Sequence, residues 1–407
     1  MKLPMKIIVL KFGGTSVGSI QRIKKVSKII KSYSKKYRVI VLSSAMSGTT
    51  NKLISLSRKI SQNFPDTEYD TLVSAGEQIS CSLLAGQLLS DGIKARSWMA
   101  WQIPILTEGE HKYSRIKYIN KTKVEKFLKS GGIPIIAGFQ GVDKNLNITT
   151  IGRGGSDSSA IMVAKFFKAN RCVIYTDVEG IYTTDPNKIK TAKKINNISY
   201  EEMLEMASLG SKVMQPHSIQ DARLNRIDIE VKSSFINKKG TLITKRKNII
   251  NNKIITGISS TDNDAKVTLL GVKDRPGIAA SIFKPLSQNS INVDMVVQNI
   301  SSNNKETDLT FTIKSYDLAK TRKIINKNKS ITFKKMIFDK NVSKVSIIGV
   351  GMITTPGVTF RMFQALARKN INIQVISTSE IKISVLIKRT NVTKAVKCLH
   401  REFDLDK

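Results

Sequence analysis

The stretch KIIVLKFGGTSVGSIQRI, residues 6–23, decides how the rest of the chain is read. It begins with an apolar, β-branched run, turns through Gly13-Gly14-Thr15-Ser16, and continues in a helical pattern. A strand that runs into a glycine turn and then a helix opens a βα unit. The turn has what an anion needs. Glycines let the backbone approach closely, the helix start offers unpaired N–H groups, and Lys11 places an ammonium at the strand end. The spacing is not that of a GxxxxGK[ST] P-loop, so the turn taken alone is equally an ordinary tight connection.

The same alternation continues to about residue 235. YRVIVLSS, IPIIAGFQGV, CVIYTDVEG and DIEVKSS read as strands, with helical patterns between them, which predicts a mainly parallel sheet. In TLVSAGEQISCSLLAGQLLSDG the four-residue spacings Ile79–Leu83 and Leu84–Leu88 predict a helix that stops at Gly92. A second helix is predicted from Ser199, with Glu202 completing a capping box and a stop near Gly210.

Beyond residue 250 an internal repeat appears. KVTLLGV followed by PGIAASIFKPLSQNSINVDMV matches KVSIIGV followed by PGVTFRMFQALARKNINIQVI, and the second copy has two extra residues before its proline. Pro276, Gly277, Phe283, Leu286 and Asn292 return as Pro356, Gly357, Phe363, Leu366 and Asn372. Each copy reads as βαββα, most of a ferredoxin-like βαββαβ module. Two such modules with apolar strands call for edge pairing within a dimer.

Composition narrows the class. The chain has 407 residues, 41% of them hydrophobic, enough for two or three domains with their own cores. No apolar run approaches the ~18 residues of a membrane span, and the start MKLPMKIIVLKF reads as a strand, not a signal peptide. Cys81, Cys172 and Cys398 lie far apart, which suggests neither a zinc site nor a disulfide framework and fits a reducing cytoplasm. The formal charge of +36 raises nucleic-acid binding as a rival. The charge is mostly lysine spread over every segment, with aromatics at 6% and none interleaved with basic runs. Solvated lysine explains it better, and no nucleic-acid partner is expected.

In a parallel α/β sheet, ligands collect where strands end and helices begin. Four such turns are polar and glycine-rich: the opening turn, SSAMSGTTN from Ser43, AGFQGVDKNLNITTIGRGGSDSSA, and YTDVEGIYTTDPNK. The third is the most specific. Arg153, then Gly154-Gly155-Ser156-Asp157 and an apolar helix, brings a guanidinium and helix N-terminal amides toward one small anion. Asp157 has a plainer alternative, as an N-cap. The fourth turn sets Thr176, Asp177, Tyr182 and Asp185 after a strand, and acidic groups there suit magnesium, a ribose or an amine. GxGxxG, GxxxxGK[ST] and HExxH motifs are absent, and the three histidines are scattered. Lysines, glycine amides and carboxylates without a nucleophile point to phosphoryl transfer onto a small acid.

These motifs together resemble the aspartate kinase family. KFGGTSV, SAGEQIS, AGFQG, GRGGSD, YTDVEGIYTTDP and LGSKVM occur in that family's order, and the repeat is similar to its paired ACT modules. The resemblance covers nearly the whole chain. It implies a three-layer α/β/α amino acid kinase sandwich over residues 5–250, with ACT modules at 251–340 and 341–407. It implies ATP-dependent phosphorylation of the side-chain carboxylate of L-aspartate, with Mg2+ carried on the ATP phosphates. Lys11 and Asp157 would be catalytic. ATP would meet Lys11, Phe12, Gly13, Gly14, Thr176, Asp177, Tyr182, Asp185, Lys212 and Val213. Aspartate would be held by Thr50, Glu77, Phe139, Arg153, Gly154, Gly155 and Ser156. The ACT pair implies a homo-oligomer, at least a dimer, with feedback by lysine and/or threonine near Asp274, Gln298, Asn299, Ser379 and Glu380. No dinucleotide fingerprint follows, so the monofunctional form is expected. Two positions depart from the family pattern: Asn187 and His217 stand where arginines are usual, with Lys188 as the stand-in for the first.

Overall fold

Strand β1 (Ile7–Phe12) is buried at every position but its first. A strand covered on both faces belongs at the centre of a sheet with helices on each side, and its apolar residues run continuously instead of alternating. The structure, a computed structural model, describes residues 5–152, 154–210, 213–246, 253–300, 306–328 and 330–407. The chain forms two compact units, Met1–Ile181 with Lys194–Asn251 and Tyr182–Lys193 with Asn252–Lys407.

In the first unit the strands are β1, β2 (Arg38–Ser43), β3 (Ala95–Trp98), β4 (Ile105–Glu108), β5 (Arg115–Ile119) and β6 (Ile133–Ala137). They continue as β7 (Gln140–Val142), β8 (Ile148–Thr150), β9 (Arg171–Thr176), β10 (Asn197–Ser199), β11 (Ile229–Ser233) and β12 (Thr241–Thr244). The helices are α1 (Ile20–Ser34), α2 (Thr49–Ile60), α3 (Asp66–Ser90), α4 (Thr122–Lys129), α5 (Gly155–Phe166), α6 (Tyr200–Ser208) and α7 (Pro216–Asn225). The main sheet runs β10-β12-β11-β9-β1-β2-β6-β3, parallel except where β12 meets β11. A smaller sheet, β5-β4-β7-β8, lies apart from it in hydrogen bonding. This is the expected α/β architecture with a mainly parallel sheet.

Side-chain alternation along β1 sorts core from chemistry. Ile8, Leu10 and Phe12 point into a cluster with Ile23, Val26 and Ile30 of α1 and Cys81, Leu84 and Leu88 of α3. Lys11, between them, faces the other way. Helix α3 begins well before the predicted segment and confirms only half of its apolar spacing. Leu84 and Leu88 are buried, whereas Ile79 is 51% and Leu83 39% exposed. A four-residue spacing marks one helix face without saying which face is covered. The capping box at α6 is present: Ser199 accepts from Glu202 N, and the Glu202 carboxylate accepts from Ser199 N.

The second unit contains both repeats. The first copy comprises β14 (Asp264–Lys273), α8 (Ile278–Gln288), β15 (Val293–Ile300), β16 (Glu306–Lys314), α9 (Leu318–Lys327) and β17 (Lys335–Asp339), in sheet order β15-β16-β14-β17. That is a full βαββαβ module. The second copy has β18 (Val342–Ile348), α10 (Val358–Ala367), β19 (Ile373–Thr378), β20 (Lys382–Lys388) and α11 (Val392–Glu402). Its fourth strand comes from upstream of the first copy. Strand β13 (Gly257–Thr261) pairs antiparallel with β18 in the order β13-β18-β20-β19. Gly349 fits against this segment because a Cβ there would lie 2.2 Å from the Ile254 carbonyl oxygen. Met295, Val342, Val375 and Leu386 form a small shared apolar cluster between the copies, Lys344 pairs with Asp294, and Lys266 donates to Gln374.

Residues 182–193 also belong to this unit. Ile189 enters the core formed by Val345, Met362 and Leu399, the Thr183 carbonyl accepts from Ile258 N at 2.7 Å, and Thr183 Oγ1 shares a hydrogen bond with His400 Nε2 at 2.9 Å. His400 is fully buried, and burial holds its pKa below the ordinary histidine value. The imidazole is therefore neutral in the fold but gains a proton in the unfolded chain below about pH 6.5, so acid favours unfolding. The melting temperature should fall as pH drops through that range, and in His400→Gln this acid-dependent part of the fall should shrink. Parallel slopes for the two proteins would show that another group is responsible.

Candidate functional site

The carboxyl ends of β1, β2 and β6 open on a cleft of about 650 Å3. Lys11, next to last on β1, reaches across to Asp157 on α5, with Nζ 2.6 Å from Oδ1 and only 11% of either side chain exposed. Asp157 sits in the first turn of α5, where the helix dipole favours an anion. It is not the N-cap. That position is taken by Gly154, whose left-handed φ of 71° turns the chain into the helix. A side chain at Gly154 would meet Gln215 at 2.4 Å, so the conformation and the crowding both require glycine.

The opening turn is held from two sides. Gly13 N donates to the Tyr175 carbonyl at 3.0 Å, and the Phe12 and Tyr175 rings stack 4.8 Å apart, which ties β1 to the end of β9. At Gly14 a Cβ would come within 2.7 Å of the Ala45 carbonyl oxygen. The second polar turn therefore packs directly on the first, and Ser47 N donates to Gly14 O at 3.1 Å.

Glu77 comes from the middle of α3. Its Oε1 accepts from Ala45 N at 3.1 Å, and Oε2 is buried with no hydrogen-bond partner among the described residues. Burial raises its pKa to about 8, opposed by the Ala45 amide and, more weakly, by the charge of Lys11. Glu77 thus brings one unpaired carboxyl oxygen to the cleft. Phe139, at φ 66°, is pinned by donation from its N–H to Ser159 Oγ, and Gly155 leaves room for its ring.

Thr50, Glu77, Phe139, Gly154, Gly155, Ser156, Lys11, Gly14 and Asp157 line this one cleft. Phe12 and Gly13 stand behind its wall. Thr176 and Asp177 follow β9, the neighbour of β1, and Thr176 Oγ1 donates to the Asp177 carboxylate. Tyr182 and Asp185 lie in the segment 182–193 of the second unit, where Asp185 accepts from Asn187 N. Lys188 pairs there with Asp262 at 2.8 Å. Val213 is half-buried and His217 exposed, while Arg153 and Lys212 lie outside the described residues. Asp274, Gln298, Asn299, Ser379 and Glu380 are all exposed, the middle pair at the end of edge strand β15 and the last pair in the turn after edge strand β19. No group of three His, Cys, Asp or Glu able to hold a metal occurs among the described residues. No described helix is long and apolar enough to cross a membrane.

Sequence reading did not single out Arg58, Tyr69, Lys112, Tyr113 and Thr150, which also line the cleft. All but Thr150 lie outside the glycine-rich turns. The one signal was Asp70, a second carboxylate two helical turns before Glu77 on the buried face of α3.

The amino acid kinase family profile matches residues 6–233, and ACT domain profiles match 267–328 and 345–403. Aspartokinase of Pseudomonas aeruginosa is 45% identical over 406 residues, covering 99% of this chain and 98% of that protein. Aspartokinase 2 of Bacillus subtilis is 40% identical, covering 99% of each. Among solved structures, E. coli aspartokinase III superposes with a TM-score of 0.82 at 24% identity, over 98% of this chain and 100% of that one, a likeness of fold. Synechocystis aspartate kinase is 36% identical with a TM-score of 0.55, over 98% of this chain and 69% of that one.

The burial of Glu77 has a cost that can be measured without ligand. In the unfolded chain this carboxyl ionises near 4.5, whereas the fold holds its proton to about 8, so stability is lost progressively between those values and levels off above them. Glu77→Gln keeps the oxygen that faces Ala45 and removes the titration. It should be more stable than the parent, with the gap widening up to pH 8 to the order of a few kcal/mol. Denaturant midpoints across the pH range measure this, and a gap independent of pH would contradict it.

Proposed function

The chain belongs to the aspartate kinase family, and from that premise we propose how its residues carry out the reaction. The protein is an ATP-dependent kinase that phosphorylates the side-chain carboxylate of L-aspartate to 4-phospho-L-aspartate, the first step toward lysine, threonine and methionine. The observation that carries the assignment of parts is the buried Lys11–Asp157 pair lining one cleft together with Glu77.

Aspartate sits with its ammonium on Glu77 and a carboxylate on Arg153, within walls made by Thr50, Phe139, Gly154, Gly155 and Ser156. The side-chain carboxylate oxygen attacks the γ-phosphorus while the bond to the β–γ bridging oxygen breaks, leaving ADP. The attacking group is already ionised at neutral pH, so no general base is needed. That accounts for a cleft without histidine. Lys11 stabilises charge on the transferred phosphoryl group, and Asp157 orients Lys11. Phe12, Gly13 and Gly14 face the phosphates, with Thr176, Asp177, Tyr182, Asp185, Lys212 and Val213 toward the rest of the nucleotide. Mg2+ neutralises the ATP phosphates when bound.

Residues 5–250, apart from the segment 182–193 that packs in the second unit, form the kinase domain, and 251–340 with 341–407 the ACT modules, β13 from the first of these two ranges completing the sheet of the second; the modules bind lysine and/or threonine near Asp274, Gln298, Asn299, Ser379 and Glu380. The ACT modules also pair two chains. Val296 and Ile376, equivalent positions on edge strands β15 and β19, are 47% and 43% exposed, as an unpartnered apolar edge would be. Three unpaired cysteines suit the cytoplasm.

The decisive assay follows ADP release with L-aspartate, L-glutamate and N-acetyl-L-glutamate in turn, with lysine and threonine titrated singly and together. Turnover should require L-aspartate, and ADP release indifferent to it would overturn the reading. Lys11→Met should lower kcat by about 100-fold or more. Aspartate binding should favour ionised Glu77, so affinity should rise with pH up to about 8 and then level off. Calorimetry in buffers of different ionisation enthalpy should register proton release below that pH.

A further inference from the structure

We propose that Asp70 is a positioning residue for the acidic substrate: its buried carboxylate ties two loops of the cleft wall to the helix that carries Glu77. This rests on the aspartate kinase reading above. Asp70 is fully buried yet sits on α3 without a lysine or arginine partner among the described residues. A buried carboxylate in that situation persists only if its oxygens are filled with hydrogen bonds. They are filled from two loops. Oδ2 accepts from Thr150 N at 3.0 Å, Lys112 N at 3.1 Å and His111 Nδ1 at 2.8 Å, and Oδ1 accepts from Thr150 Oγ1 at 2.6 Å.

The two loops bound by this carboxylate also pack on each other. Ser114 N donates to Thr150 O at 3.0 Å, and a Cβ at Gly152 would fall 2.9 Å from the Lys112 carbonyl oxygen. Lys112 itself is held at φ 68°, a conformation that side-chain-bearing residues avoid, and the bond from its N–H to Asp70 helps to keep it there. Lys112, Tyr113, Thr150 and Gly152 line the same cleft as Lys11, and Gly152 lies two residues before Gly154, the N-cap of α5. Glu77 stands two turns along the same helix as Asp70. One carboxylate thus sets the spacing between the ammonium partner on α3 and the loop that leads to the carboxylate partner. None of its bonds reaches the opening turn at Gly13-Gly14 or the end of β9, where the nucleotide is placed. The constraint therefore acts on aspartate, leaving ATP apart.

Steady-state kinetics with each substrate varied in turn test this, alongside thermal melting. Asp70→Ala should raise the KM for aspartate by about tenfold or more, with the KM for ATP and kcat each within about threefold. Asp70→Asn keeps an acceptor for the two backbone N–H groups and should recover most of the loss. Thr150→Val removes only the hydroxyl bond and should raise the aspartate KM by about threefold. If Asp70→Ala does not fold, the Asn and Val variants decide the matter by the same split. An unchanged aspartate KM in the folded variants, or equal losses for both substrates, would overturn the positioning role. A parent protein that does not turn over aspartate would instead overturn the kinase reading.

Discussion

The Lys11–Asp157 ion pair is the interaction on which the rest of the first unit depends. A lysine near the end of a strand covered on both faces is an expensive thing to bury, and removing either partner would strand a charge away from water. The fold meets this by bringing the N-terminal turn of α5 to the carboxyl end of β1. The left-handed Gly154, the tight Gly155 and the first-turn Asp157 all serve that placement. The pair is nearly neutral by itself.

Elsewhere in the cleft lining the electrostatics run in the opposite direction. Glu77 is unpaired and keeps its proton to about pH 8 because burial outweighs one amide hydrogen bond and the distant charge of Lys11. A matched pair and an unmatched acid therefore face one cavity. The first suits charge that develops during reaction, and the second suits a cation that arrives with the substrate. The overall charge of +36 plays no part in this discrimination, because the surface lysines are spread over the whole chain.

The second unit shows how a repeat can be complete in structure and incomplete in sequence. The second copy lacks a terminal strand of its own and borrows β13, which precedes the first copy in the chain. The same core takes in Ile189 from a segment that follows the acidic turn at Asp177. Residues on either side of that segment, Ile181 and Lys194, belong to the kinase unit.

The sequence by itself determined the parallel α/β class, the repeat, the capping box at Ser199 and the glycine-rich turns. These are written in short-range patterns: period-two and 3.6 spacing, and glycine where backbone must approach backbone. It named part of the cleft lining for the same reason, since Gly14, Glu77 and Gly154–Asp157 sit in local motifs. Only the tertiary structure decided which face of α3 is covered, leaving Ile79 and Leu83 exposed, and which strand completes the second repeat. Only it revealed the wall held by Asp70, whose partners Lys112 and Thr150 lie 42 and 80 residues away. A hydrogen bond across that distance leaves no spacing in the sequence. Its only local trace is a second carboxylate on the helix that carries Glu77, and what satisfies that carboxylate is fixed by how the chain packs.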